Sequence, residues 1–110
     1  ATPEYNHSIP GVLKNAIDWA SRPVSESVLR GKPAAVIGAS TGLFGAVWAQ
    51  AEVRKVLAAI GADVVDRELP VMQAHQHFDE DGNLHAEDVR GQLAEHVTAL
   101  VRATREKVAA

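Results

Sequence analysis

Along the first part of the chain, apolar side chains recur at Leu13, Ala16, Ile17 and Ala20, the three- and four-residue spacing of a helix with one buried stripe. The spacing predicts a helix from Pro10 to about Ala20, with Ser8 as its N-cap and Ser21-Arg22-Pro23 as its stop. After Gly31-Lys32-Pro33 the pattern becomes a continuous apolar run over residues 34–39, as in a strand buried on both faces of a parallel sheet. Ser40-Thr41-Gly42 breaks that run with a turn. Helical spacing returns at Ala49, Val53, Val56, Leu57 and Ile60 and ends at Gly61. Residues 62–65 open a second strand that continues loosely through Leu69 to Met72, where Pro70 lacks a ladder donor and predicts an edge or a bulge. Residues 78–83 form an acidic turn, and Val89, Leu93, Val97, Leu100, Val101, Thr104 and Val108 mark the apolar face of a closing helix.

Helix, strand, helix, strand, helix is the alternation that right-handed crossovers turn into a parallel sheet flanked by helices. Two strands are few for such a sheet, and the chain opens at Ala1 in a loop-like run with no strand ahead of it. The expectation is therefore an α/β chain in which residues 1–110 form the carboxy-terminal part of a single domain whose amino-terminal strands are missing. The open strand edge this leaves invites pairing with another chain, which predicts a homo-oligomer.

Composition narrows the chemistry. At 110 residues, 46% hydrophobic and 23% charged, the chain has the makeup of one globular domain. A net charge of −3 offers no basic field for a phosphate backbone, so nucleic acid is not an expected partner. No apolar stretch approaches the length of a membrane span, so no membrane association is expected. With no cysteine there is no disulfide or thiolate nucleophile; a cytoplasmic setting follows as the default, and any redox chemistry must come from a cofactor.

Several motifs occur in a fixed order: Pro3-Glu4-Tyr5-Asn6-His7-Ser8-Ile9-Pro10-Gly11-Val12-Leu13-Lys14-Asn15-Ala16-Ile17-Asp18-Trp19, then Gly31-Lys32-Pro33, then Ile37-Gly38-Ala39-Ser40-Thr41-Gly42 with Gly45 beyond, then Phe78-Asp79-Glu80-Asp81-Gly82-Asn83-Leu84. Together they resemble the NADPH-dependent FMN reductase family of flavodoxin-like quinone, chromate and azo-dye reductases. The resemblance implies FMN and NAD(P)H as cofactors and a small-molecule electron acceptor as partner. It also implies that the loop of Pro3, Glu4, Tyr5 and Asn6 wraps the isoalloxazine ring while Ser40, Thr41 and Gly42 approach it from the next strand. Both loops would then lie at the carboxyl ends of parallel strands, where open α/β sheets bind ligands. No catalytic acid or base is assigned, because the hydride chemistry belongs to the cofactor. The family's Ser-, Arg- and Asn-rich phosphate loop is missing from this sequence, so flavin binding by this chain alone is expected to be weak or absent, and a non-catalytic, self-associating fragment is the alternative.

Gly38-Ala39-Ser40-Thr41-Gly42 also fits the nucleophile elbow of a serine hydrolase, with Ser40 as nucleophile, Asp63 or Asp66 as orienting acid and His75 or His77 as base. The pattern is permissive, and no glycine-rich oxyanion segment precedes it. His75 and His77 with His85 or Asp79 are conceivable zinc ligands, although a solvated strand end explains them more simply. The 79–83 turn fails as a calcium loop, because the twelfth position from Asp79 is Arg90. Trp19 and Trp48 read as packing residues. Glu52, Val53, Arg54 and Lys55, and the tail charges Arg102, Arg105, Glu106 and Lys107, read as solvated helix faces.

Overall fold

The computed structural model describes all of residues 1–110 and contains three helices, α1 (Gly11–Ala20), α2 (Val47–Ala59) and α3 (Glu87–Ala109). Two short parallel strands, β1 (Pro33–Ala34) and β2 (Asp63–Val64), pair in register, Pro33 with Asp63 and Ala34 with Val64. Beyond β1 the chain stays extended, and its first residues join it: Thr2 bridges Gly38 in parallel, its N–H donating to Ile37 O at 2.9 Å. The opening residues are thus a third path of the sheet, not a loop.

The path through Val36 is sandwiched. On one side Val36 packs with Ile17 of α1 and Val53 of α2, ringed by Ile9, Leu13, Leu29, Val56, Leu57 and Ile60. On the other side α3 is pinned by the buried His96, whose Nε2 lies 3.0 Å from Val36 O. A carbonyl only accepts, so Nε2 carries the hydrogen. Helices on both faces of a parallel sheet are the arrangement that the alternating sequence pattern predicts.

Several local expectations change. The strand expected over residues 34–39 is paired at Pro33–Ala34 and again only at Gly38; of its residues Val36 alone is buried and Ala39 is exposed. Pro10, not Ser8, occupies the N-cap position of α1. The seam of α3 runs through Leu93, His96 and Leu100 rather than through Val97 and Val101, which are 51% and 41% exposed. Trp19 is 74% exposed and packs into no core, whereas Trp48 does pack, against His7 and Phe44. In the 52–55 run, Val53 is core and Glu52 is engaged by hydrogen bonds, so that face is not simply solvated.

Candidate functional site

The loop after Thr2 closes into a two-residue hairpin. Tyr5 and Ser8 exchange both backbone hydrogen bonds at 3.1 Å, and Asn6 and His7 between them have φ of 54° and 59°. Two positive φ values in succession give the mirror-image turn that matches strand twist, and asparagine tolerates them better than most residues.

Four contacts tie this hairpin to α2. The largely buried Glu4 carboxylate accepts from Ala49 N at 2.8 Å, placing negative charge on the free amides of the helix start. Ser8 Oγ donates to Glu52 Oε2 at 2.6 Å, and Ile9 N reaches the same oxygen at 3.5 Å. His7 stands edge-on to Trp48 with ring centroids 4.5 Å apart, and Phe44 leans on Trp48 at 4.8 Å.

The bond from Ser8, and then that from Ile9, hold the Glu52 carboxyl below its ordinary value of 4.5. A depressed folded value means the clasp is at full strength above pH 4.5 and fades as pH falls through the lower, folded value. Ser8→Ala should therefore return Glu52 toward 4.5, as read by the carboxyl chemical shift across an acid titration. An unchanged midpoint would show that the Ser8 contact is not what lowers it.

The second loop is held from the other side. Ser40 N donates to Val71 O at 2.9 Å, Ala74 N to Ser40 O at 2.9 Å and Gln73 N to Gly42 O at 2.8 Å, while Ser40 Oγ accepts from Gly42 N at 3.0 Å. The two loops share a root. A Cβ at Gly38 would lie 2.7 Å from Thr2 O, so only glycine lets these backbones come this close. Beside this root lies an apolar hollow of about 410 Å³, reached by Pro3, Gly38 and Ala39 and walled by Leu69, Val71 and Leu93.

Tyr5, Asn6, Thr41 and Gly42 are exposed at this end of the sheet. Glu4, by contrast, spends its carboxylate on α2 and serves as the anchor of the loop. Sequence reasoning missed Gln50, His7 and Glu52; a polar residue inside an otherwise apolar helix stripe was the available signal for Gln50. The hydrolase alternative finds no supporting geometry: the Ser40 hydroxyl bonds within its own turn and His77 Nε2 contacts Met72 O at 2.9 Å. No group of three or more His, Asp or Glu is placed to hold a metal. Asp79 folds its turn onto itself; the amide of Asn83 foremost, then its side chain and the Asp81 amide, hold that carboxyl below its ordinary range.

An open parallel α/β sheet with helices on both faces and two loops rooted together at its carboxyl end defines a flavodoxin-like fold. Residues 1–76 match the family described as NADPH-dependent FMN reductase, and the chain belongs to that family. It is 46% identical to a 2-hydroxy-1,4-benzoquinone reductase of a Burkholderia species over 84% of this chain and 51% of that protein. It is 45% identical to an NAD(P)H-dependent FMN reductase of Pseudomonas aeruginosa over 91% of this chain and 54% of the relative. Among solved structures, FerB, a flavoenzyme NAD(P)H:(acceptor) oxidoreductase from Paracoccus denitrificans, superposes with a TM-score of 0.79 at 39% identity, covering 96% of this chain and 58% of that one. The chain thus spans about half the length of the curated relatives it matches. No helix is long and apolar enough to cross a membrane.

Proposed function

We propose that this chain supplies the ring-binding side of an FMN-dependent NAD(P)H oxidoreductase that passes electrons to a quinone-type or other small-molecule acceptor. The observation that carries this reading is the meeting of the 3–6 loop and the 40–42 turn on the Thr2–Gly38 contact at the carboxyl end of the sheet. The residues present suit a planar, largely apolar ring with a polar rim: backbone approach eased by glycine, exposed Tyr5, Asn6 and Thr41, and an apolar hollow adjoining.

Bound FMN would supply the hydride relay between nicotinamide and acceptor. The chain's own part is orientation. Pro3, Tyr5, Asn6, Ser40, Thr41 and Gly42 would contact the ring, and Glu4 would hold the first loop against α2. Residues 1–110 act, in this reading, as the carboxy-terminal part of one flavodoxin-like domain in the cytoplasm. The exposed Val12 and Trp19 on one stripe of α1 favour assembly into a homo-oligomer.

The test is a titration of the protein with FMN, followed by quenching of flavin fluorescence. Weak but saturable quenching is expected, since this chain is read as supplying only the ring-binding side. Gly42→Val should weaken it roughly tenfold or more, because a Cβ at Gly42 meets nothing nearer than Ser40 Oγ at 3.4 Å and so crowds a ligand rather than the protein. Quenching that stays linear up to about 1 mM FMN, the weak end of the affinity scale, would overturn the proposal for this chain.

A further inference from the structure

Gln50 is the one large side chain that is fully enclosed. It lies on α2, and every bond of its carboxamide leaves the helix. Nε2 donates to Leu69 O at 2.8 Å and Gly45 O at 3.0 Å, with Gly38 O at 3.4 Å, while Oε1 accepts from Leu69 N at 3.0 Å. The exchange with both Leu69 backbone groups copies what a neighbouring strand would offer.

Its position explains the need. The β1 and β2 paths are joined as far as the bond from Val65 N to Ala34 O, and they meet again only where Ser40 N reaches Val71 O. Between those points the backbones part, and Leu69 turns to a side chain for its partners. Gln50 thus sits where a ladder rung would be, with the strand end at Gly38 on one side and residue 69 on the other. The Ser40–Gly42 turn hangs from both.

We infer that Gln50 is a positioning residue: its carboxamide fixes the spacing between the Gly38 strand end and the 69–74 segment, and so sets where the Ser40–Gly42 turn stands. The consequence for flavin rests on the function proposed above; the consequence for the turn does not. A residue that merely filled the core would, when changed, loosen the molecule evenly. A rung would loosen the two segments it joins.

The test uses Gln50→Met, which keeps the bulk and removes the carboxamide, and Gln50→Glu, which keeps the shape but removes N–H donors that face three carbonyls. Amide hydrogen exchange is followed at Leu69, Ser40 and Ala74, with Ile17 in α1 as reference. In Gln50→Met the first three should exchange at least tenfold faster relative to Ile17, and any FMN affinity of the parent should fall about as much. Should Gln50→Met not fold, Gln50→Glu carries the test: it keeps the shape and the acceptor for Leu69 N but loses N–H donors toward Leu69 O, Gly45 O and Gly38 O, so at one fixed pH Ser40 and Ala74 should exchange at least tenfold faster relative to Ile17. Even acceleration across the molecule, or protection at Ser40 equal to the parent's in whichever variant folds, would overturn the inference. An unchanged FMN affinity in a folded Gln50→Met whose Ser40 amide has loosened would overturn its link to the ligand. A parent that binds no FMN would instead defeat the function proposed above and leave the exchange result standing.

Discussion

Gly45→Ala should lower the stability of the protein by about 3 kcal/mol, the upper range for overpacking a tight interior site, and its melting temperature by roughly 15 °C. Gly45 has φ of +60°, and a Cβ there would lie 2.6 Å from both Pro70 C and Val71 N and 2.8 Å from Pro70 Cα. All three are backbone atoms, so no side chain can swing aside. Relief requires the 70–71 segment to retreat, which strains the bond from Ser40 N to Val71 O and the two Leu69 bonds of Gln50. Gly91→Ala is the control. That residue lies within α3 with nothing within 4 Å of its would-be Cβ, and its replacement should be neutral or stabilise by about 0.5–1 kcal/mol through helix propensity. Equal melting of Gly45→Ala and the parent would show that the close approach of helix start and strand end is absent in solution.

His96→Ala should cost a similar amount, about 3 kcal/mol, by opening a cavity and leaving Val36 O without its donor. The imidazole is 2% exposed and is the buried residue of α3. His96→Phe separates the two causes. It refills most of the volume yet leaves the carbonyl unpaired, so about 1–2 kcal/mol should remain lost. Urea unfolding of the three proteins measures both numbers. Parent-like midpoints for both variants would mean that α3 is held by its apolar contacts alone.

The elements that periodicity made legible were those whose burial is one-sided. Leu13, Ile17, Val53, Val56 and Leu57 announced α1 and α2 because helices bury a stripe, and those same residues form or border the core. The strands were harder. With only Pro33–Ala34 and Asp63–Val64 regularly paired, neither hydrophobic alternation nor length marks their limits, and Ala1-Thr2 is too short to carry any pattern. On α3 the apolar spacing rightly marked Leu93 and Leu100, which are half-buried, but also Val97 and Val101, which are exposed; His96, on the side of Leu93 and Leu100, takes the buried place with its ring against Val36 O. The two loops of the candidate site were legible as motifs. Their physical roles were not, since the destination of a carboxylate such as Glu4 depends on a helix start more than forty residues away.

The way the sheet is joined bears on how the molecule comes to exist at all. Both of its parallel contacts, Thr2 with Gly38 and Pro33 with Asp63, link segments separated by an entire crossover, and no hairpin exists between adjacent strands. Neither pairing can form until a loop containing a whole helix has closed, an entropic toll that delays assembly and puts the chain among the slower folders for its size. Cutting it anywhere between Ala46 and Asp63 removes the partner of β1 together with the helix that delivers it. Such pieces would retain at most isolated helices, so β1, α2 and β2 take their places together or not at all.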